Sequence, residues 1–217
     1  MTPEIWEMIG NGVWETVQMT IIATVFAYVA GLPLGVVLVV TSKGNILENR
    51  ILNGAIGTVV NILRSIPFLI LLVLLIPLTR LLVGTSIGTT ATIVPLTIGA
   101  IPIVARMVES SLQEVPAGIL EAAQAMGASP MKIILHFMLP ETIPSLLLGV
   151  AINLATVLGY SAMAGFVGGG GLGAIAIQYG YYRYQTDVLV VTVVILVIIV
   201  QVFQEAGTRF SIIKRHS

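Results

Sequence analysis

No cysteine occurs among the 217 residues of this chain, which excludes disulfides, thiolate metal sites and cysteine nucleophiles. Charge is scarce as well. Only 9% of the residues are Asp, Glu, Lys or Arg, where a soluble domain carries roughly 25%, so the chain cannot cover itself with a polar surface. Ten basic and ten acidic residues cancel to zero net charge, which argues against a nucleic-acid partner. The opening stretch MTPEIWEMIGNGVWE holds three glutamates and no Lys or Arg. It lacks the positive flank of a cleavable signal, so the apolar run after it reads as a retained span. The two histidines, His136 and His216, are isolated and suggest no metal site. No nucleophile–base pair or carboxylate dyad can be assembled from spacing.

Hydrophobicity is what the chain has in excess: 57% apolar residues and a mean hydropathy of +1.03. Several runs reach about 20 apolar residues, enough for a helix to cross a bilayer core of about 30 Å. The expected architecture is an all-α integral membrane protein, one transmembrane domain over residues 1–217, with no second domain, low-complexity linker or internal repeat. Five transmembrane helices are predicted at about Thr16–Val40, Thr58–Thr79, Thr89–Val108, Ile143–Phe166 and Val188–Phe203. An odd number puts the termini on opposite sides. Lys43, Arg50, Arg106, Lys132, Arg209, Lys214 and Arg215 fall on one side, Arg80 and Arg183 on the other. The richer side is cytoplasmic by the positive-inside rule, so the N-terminus is outside and the C-terminus inside. Tyr179, Tyr181, Tyr182 and Tyr184 precede the last span, where an outer aromatic belt would sit.

The longest cytoplasmic loop, about Glu109 to Thr142, contains EAAQAMGASPMKIILHFMLP. Pro116 suits the first turn of a helix, and Gly127 suits its left-handed end. Between them Ile119, Ala122, Ala123 and Met126 recur at helical spacing and share a face, while Glu121 and Gln124 can stay in water. Ser129 and Pro130 then read as the cap and first residue of a second helix. The face is small and apolar. It could admit another protein's cleft, or it could pack on the chain's own cytoplasmic surface.

Other stretches invite comparison. GFVGGGGLG lacks the GK[ST] ending of a phosphate loop and follows an apolar span, so it reads as a break in the fourth span that contributes to an outer gate. Arg64 is the one basic residue well inside a span, facing a pathway or snorkelling to the interface. Met163, beside Tyr160 and Ser161, could offer a thioether to a passing solute or could simply pack. Gly31 and Gly35 form a GxxxG suited to close helix packing. Pro33, Pro67, Pro77, Pro95 and Pro102 suggest kinks.

Glu121-Ala122-Ala123, then Gly127 after three further residues, then Leu139-Pro140, resemble the EAA signature of bacterial ABC importer permeases. Phe137 stands where that family usually has Ile. RSIPF (Arg64–Phe68), VGTSIG (Val83–Gly88), IVPLTIGA (Ile93–Ala100), ARMVE (Ala105–Glu109) and LGYSAMAGFVGGGGLG (Leu158–Gly173) are similar to permease subunits of methionine ABC transporters. The resemblance implies a type I importer permease of the bacterial inner membrane, with a periplasmic N-terminus, and not an enzyme. Its implied partners are a second copy of itself, membrane lipid, two cytoplasmic ATPase subunits and a periplasmic or lipid-anchored methionine-binding protein. ATP and Mg would be bound by the ATPase, leaving no cofactor in this chain. Glu121, Ala122, Ala123, Met126 and Gly127 would form the ATPase-docking loop; Arg64, Tyr160, Ser161 and Met163 are candidates for the translocation pathway. The implied cargo is L-methionine, with D-methionine. Permeases for other small amino acids or organic solutes are the nearest alternative. A secondary carrier is disfavoured by the lack of a mid-span titratable relay, and a membrane enzyme by the lack of a catalytic constellation.

Overall fold

The computed structural model describes residues 2–215, with side chains in the last helix described as far as Arg209 and at Ser211. All regular structure among these residues is helical. The side chains of Lys214 and Arg215, and all of His216, lie outside the described residues.

The first helix is much longer than the predicted span. α1 runs Pro3–Val40, 38 residues, or about 57 Å at 1.5 Å per residue. The stretch before Thr16 is helical because it has a partner: Ile9 packs with Leu172, Ile175 and Val188, and Ile5, Met8 and Val13 lie against that cluster. Its glutamates alternate with this apolar face, so hydropathy alone undercounts the helix.

Further along, α1 lies on α5 (Thr89–Gln113) at van der Waals contact. A Cβ on Gly31 would stand 2.8 Å from Val104 Cβ, and one on Gly35 would stand 2.6 Å from both the Ala105 carbonyl oxygen and Val108 Cβ. The GxxxG pair is thus a helix-packing motif, and the residue numbers show that α1 and α5 run in the same direction. The chain must therefore return across the layer between them.

That return is not the single helix Thr58–Thr79 that hydropathy predicts. α2 (Arg50–Ser65) and α3 (Phe68–Leu74) meet at a 103° bend, and α4 (Ile76–Val83) follows after Leu75. The cause is Pro67. A proline disfavours helical backbone in the residue before it, and Ile66 is extended at φ −80°, ψ 122°. Pro77 sits in the first turn of α4, where its missing N–H costs nothing. Pro33, Pro95 and Pro102 lie inside unbroken helices. Only one of the five prolines ends a helix.

After α5 come α6 (Ala117–Ala125), α7 (Pro130–Ile133), a π-type turn at Ile134–Met138 and α8 (Leu139–Glu141). α9 (Ile143–Ala164) then runs antiparallel to α1, with Gly149 at its start beside the Tyr28 hydroxyl. α11 (Thr186–Arg215) runs back along α9, and the Ser211 hydroxyl donates to the Pro144 carbonyl at 2.7 Å. α1, α5, α9 with its extension to Val167, and α11 are each long and apolar enough to span a bilayer; the bent pair α2–α3 makes a fifth if taken as one crossing.

Between α9 and α11 the glycine-rich stretch turns the chain. Gly168, Gly170 and Gly171 have φ of +83°, +78° and +72°, a region that disfavours any residue with a Cβ. The turn feeds α10 (Gly171–Ile175) and a π-type turn through Tyr181. Gly173 lies so close to α9 that a Cβ there would sit 2.5 Å from the Ala162 backbone. The buried peptide groups of this turn are answered by side chains from two other helices. Glu15 accepts from the Gly171 N–H at 2.7 Å, Thr16 accepts from the Leu172 N–H at 2.8 Å, and the Thr92 hydroxyl donates to the Gly169 carbonyl at 3.0 Å.

Gly35→Val, which drives a side chain into α5, is expected to destabilise the fold by roughly 1–3 kcal/mol, lowering the thermal unfolding midpoint of the purified protein. Gly10, where a Cβ meets nothing within 4 Å, is the control: Gly10→Ala should not lower that midpoint and, by restricting the unfolded chain, should raise it slightly. Glu15→Ala, which strips a capping acceptor from the turn, should cost about 1 kcal/mol, with the loss smaller for Glu15→Gln. An unchanged midpoint for Glu15→Ala would show that the cap carries no stability.

Candidate functional site

The loop after α5 is anchored from within. Val115 and Leu112 are buried at the end of α5, and Pro116, extended at ψ 132°, caps α6. α6 then divides its surface. Ala123 has no accessible surface and belongs to the core cluster with Leu112, Ile133, Ile134 and Met138, and Leu120 packs against that cluster. Glu121 and Ala122 are exposed, as is Met126 at 72%. Ile119 is half-buried. The four-residue stripe read from spacing is thus split: Leu120 and Ala123 hold the helix to its own chain, while Ala122 and Met126 face away from it.

Gly127 ends the helix as its sequence position predicts, with φ +75°. The Ala128 N–H reaches back to the Ala123 carbonyl at 3.0 Å, and the Gly127 N–H to the Gln124 carbonyl at 2.9 Å, the paired bonds of a left-handed helix end. Ser129 is extended and Pro130 opens α7. Ser111 and Ser145 share a hydrogen bond of 2.7 Å, tying the end of α5 to the start of α9 directly behind the loop.

A second concave feature lies at the α2–α3 bend. Leu63, Arg64, Ile66, Phe68, Leu71, Gly99, Ile103 and Tyr160 line a cavity of about 240 Å³. Its floor is an aromatic pair: the Phe68 and Tyr160 rings stack with centroids 4.1 Å apart and planes within 1°. Gly99 leaves room for the Phe68 ring, since a Cβ there would approach it to 3.2 Å. Arg64 lies in the last turn of α2 and is exposed at the rim. Among the described residues it forms no ion pair, whereas Arg106 bonds Glu109 at 2.6 Å and Asn61 at 2.8 Å.

The four pathway candidates therefore separate. Arg64 and Tyr160, distant in sequence, line one cavity. Ser161 is 1% exposed and its hydroxyl donates to the Leu158 carbonyl at 2.7 Å, so it presents no polar group to a solute. Met163 is 46% exposed, away from that cavity. Spacing did not single out Phe68 as a site residue. The signal was present in RSIPF: a proline fixes the bend and places the next side chain opposite the preceding arginine. Glu15 and Thr16 carry no such signal, because an acid ahead of an apolar run reads as a flank. His136 is exposed, and no group of His, Asp and Glu able to hold a metal occurs among the described residues.

Residues 31–206 match the family model described as binding-protein-dependent transport system inner membrane component. A probable D-methionine transport system permease protein of Vibrio cholerae is 55% identical over 201 residues, covering 93% of this chain and 89% of that protein. Its counterpart in Pasteurella multocida is 50% identical over 207 residues and 95% of both chains. The D-methionine transport system permease protein of Escherichia coli K12 is 53% identical over 163 residues, 75% of each. Among solved structures, the MetNI methionine ABC transporter in inward-facing conformations superposes with a TM-score of 0.97 at 50% identity, covering 99% of both chains. An amino acid ABC transporter crystallised with histidines shares the fold, with a TM-score of 0.78 at 20% identity over 96% of this chain and 94% of that one. With the family match extending from α1 to α11 and enclosing the loop, the bend and the glycine turn, the chain belongs to the binding-protein-dependent transport system inner membrane components and is a multi-pass protein of the inner membrane.

Proposed function

We propose that this chain is the permease subunit of a methionine ABC importer, working as a homodimer with two cytoplasmic ATPase subunits and supplied by an external methionine-binding protein. The observation that carries the reading is the superposition on the MetNI methionine ABC transporter over 99% of both chains at 50% identity. Relatives named for D-methionine support methionine of either hand as cargo. The seven-to-two division of Lys and Arg supports a periplasmic N-terminus and a cytoplasmic C-terminus.

On this reading the permease makes and breaks no bond, and ATP is bound and hydrolysed in its partner. The exposed part of the loop, Glu121, Ala122, Met126 and Gly127, is the docking surface, and Ala123 is its root. Closure of the ATPase pair pushes on α6. Because Leu120 and Ala123 fix α6 to the core and Ser111 joins Ser145, α5 and α9 move with it and open the opposite end. The glycine turn at that end, held by Glu15, Thr16 and Thr92, contributes to the outer gate. The route for cargo passes the Arg64–Tyr160 cavity, with Met163 further along α9.

Ala122→Arg or Met126→Glu should abolish co-purification of the ATPase subunit while leaving the permease folded in the membrane. Ala123→Arg should instead destabilise the permease itself, since it buries an unpaired charge. Gly127→Val should resemble the first two through the loss of positive φ. Normal association by both Ala122→Arg and Met126→Glu would remove the loop from the docking surface.

The cargo is tested by growth. A methionine auxotroph lacking its own high-affinity uptake should grow on low L- or D-methionine when this chain is expressed with its ATPase and binding protein, and should fail with an ATPase-dead partner. Uptake of another amino acid in place of methionine would keep the importer and discard the substrate.

A further inference from the structure

The cavity at the α2–α3 bend has a chemical asymmetry. It holds one cation and no anion. Of the residues lining it, only Arg64 is charged; Leu63, Ile66, Phe68, Leu71, Gly99 and Ile103 offer apolar surface, and Tyr160 presents its ring to Phe68. Other arginines near the spans are answered by protein groups. Arg106 has Glu109, the Asn61 side chain and the Gly57 carbonyl, and Arg80 bonds the Ser86 hydroxyl. Arg64 forms no such bond among the described residues. An exposed guanidinium at the edge of the cavity, with no counter-ion among the described residues, is free to pair with a solute, and its forked donors match a carboxylate.

The chamber's size limits what brings that carboxylate. About 240 Å³ is below the range of drug-sized pockets, about 300–1,000 Å³, so it suits a single small solute. The stacked Phe68–Tyr160 pair and the Leu71 and Ile103 side chains offer a floor for an unbranched apolar chain or a polarisable sulfur.

We infer that Arg64 is the carboxylate anchor of a transit site for the amino-acid cargo, with the Phe68–Tyr160 stack as the shelf for its apolar side chain and with no carboxylate side chain to hold its amine. This rests on the methionine reading above. One consequence is stereochemical. A solute held only by its carboxylate and its side chain can turn about the line joining them, so the site does not read the hand at the α-carbon. A second consequence concerns the amine: since no carboxylate in the lining pairs with an ammonium group, masking that group weakens binding far less than removing the carboxylate does.

The test uses the intact permease–ATPase complex in nanodiscs of phosphatidylcholine, without binding protein, and radiolabelled L-methionine as probe. The signal assigned to this site is the part lost in Arg64→Gln, whose assembly with the ATPase is confirmed by size-exclusion chromatography. That part should be displaced by L-methionine, D-methionine and N-acetylmethionine at concentrations within about threefold of one another, and poorly by methioninol, which lacks the carboxylate. Replacing a charged bidentate contact is expected to cost at least about tenfold in affinity, and Arg64→Lys, which keeps charge but not the fork, should fall between. Phe68→Ala should weaken methionine but spare a short carboxylate such as acetate.

Equal binding by wild type and Arg64→Gln would overturn the proposal, as would displacement by methioninol as effective as that by methionine. Loss of the signal on adding phosphatidylglycerol to the discs would also overturn it, identifying Arg64 as a contact for lipid phosphate. Uptake by the complete wild-type system in the auxotroph separates the two levels. If methionine is imported and the binding result is negative, the importer stands and this site falls. If methionine is not imported at all, the cargo assignment fails and this site falls with it.

Discussion

Gly31 and Gly35 give up side chains so that α1 can lie against α5 with backbone close to side chain, and the positions of the other elements follow from that contact. Because the two helices run in the same direction, the segment between them has to return across the layer. Because they touch so closely, α9 is left to pack across both. In a membrane this kind of contact cannot rely on the expulsion of water, since lipid tails are as apolar as the side chains they replace. It depends on fit and on van der Waals proximity. Small residues at the crossing are what make that proximity possible.

Burial imposes a related constraint on the glycine turn. A buried peptide group finds no solvent to bond, so irregular backbone survives in the interior only where protein supplies partners. Glu15 and Thr16 come from α1 and Thr92 from α5, so the turn is closed by residues more than seventy positions away in sequence. Four glycines permit the path; three distant side chains make it tolerable. Loss of either set would leave the other without purpose.

Much of this was legible before any coordinates. Gly127, the Ser129–Pro130 start, the GxxxG contact and the helical class follow from local rules, and local rules held where the deciding neighbours are close in sequence. The departures share a cause. α1 extends thirteen residues beyond its hydropathic start because Leu172 and Val188 cover its apolar face, and nothing near residue 9 announces them. The second crossing breaks at Pro67 because a proline's effect on the preceding residue depends on whether neighbouring helices straighten or accept the bend. Ala123 turns inward and Ala122 outward because a short amphipathic helix with small residues on two sides has no preferred face until the core chooses one. Arg64 and Tyr160 were each visible as unusual residues; that they share a cavity was not, since it depends on how α2, α5 and α9 converge.

The length of α1 has a spectroscopic consequence. The chain has two tryptophans, Trp6 and Trp14, and both lie on the part of α1 that precedes the predicted span, with 53% and 68% of their surfaces exposed. Indole emission from this subunit therefore originates at one end of one helix. It is a label-free probe built into the end of the molecule that carries the glycine turn, silent about the docking loop and sensitive to whatever meets the tip of α1.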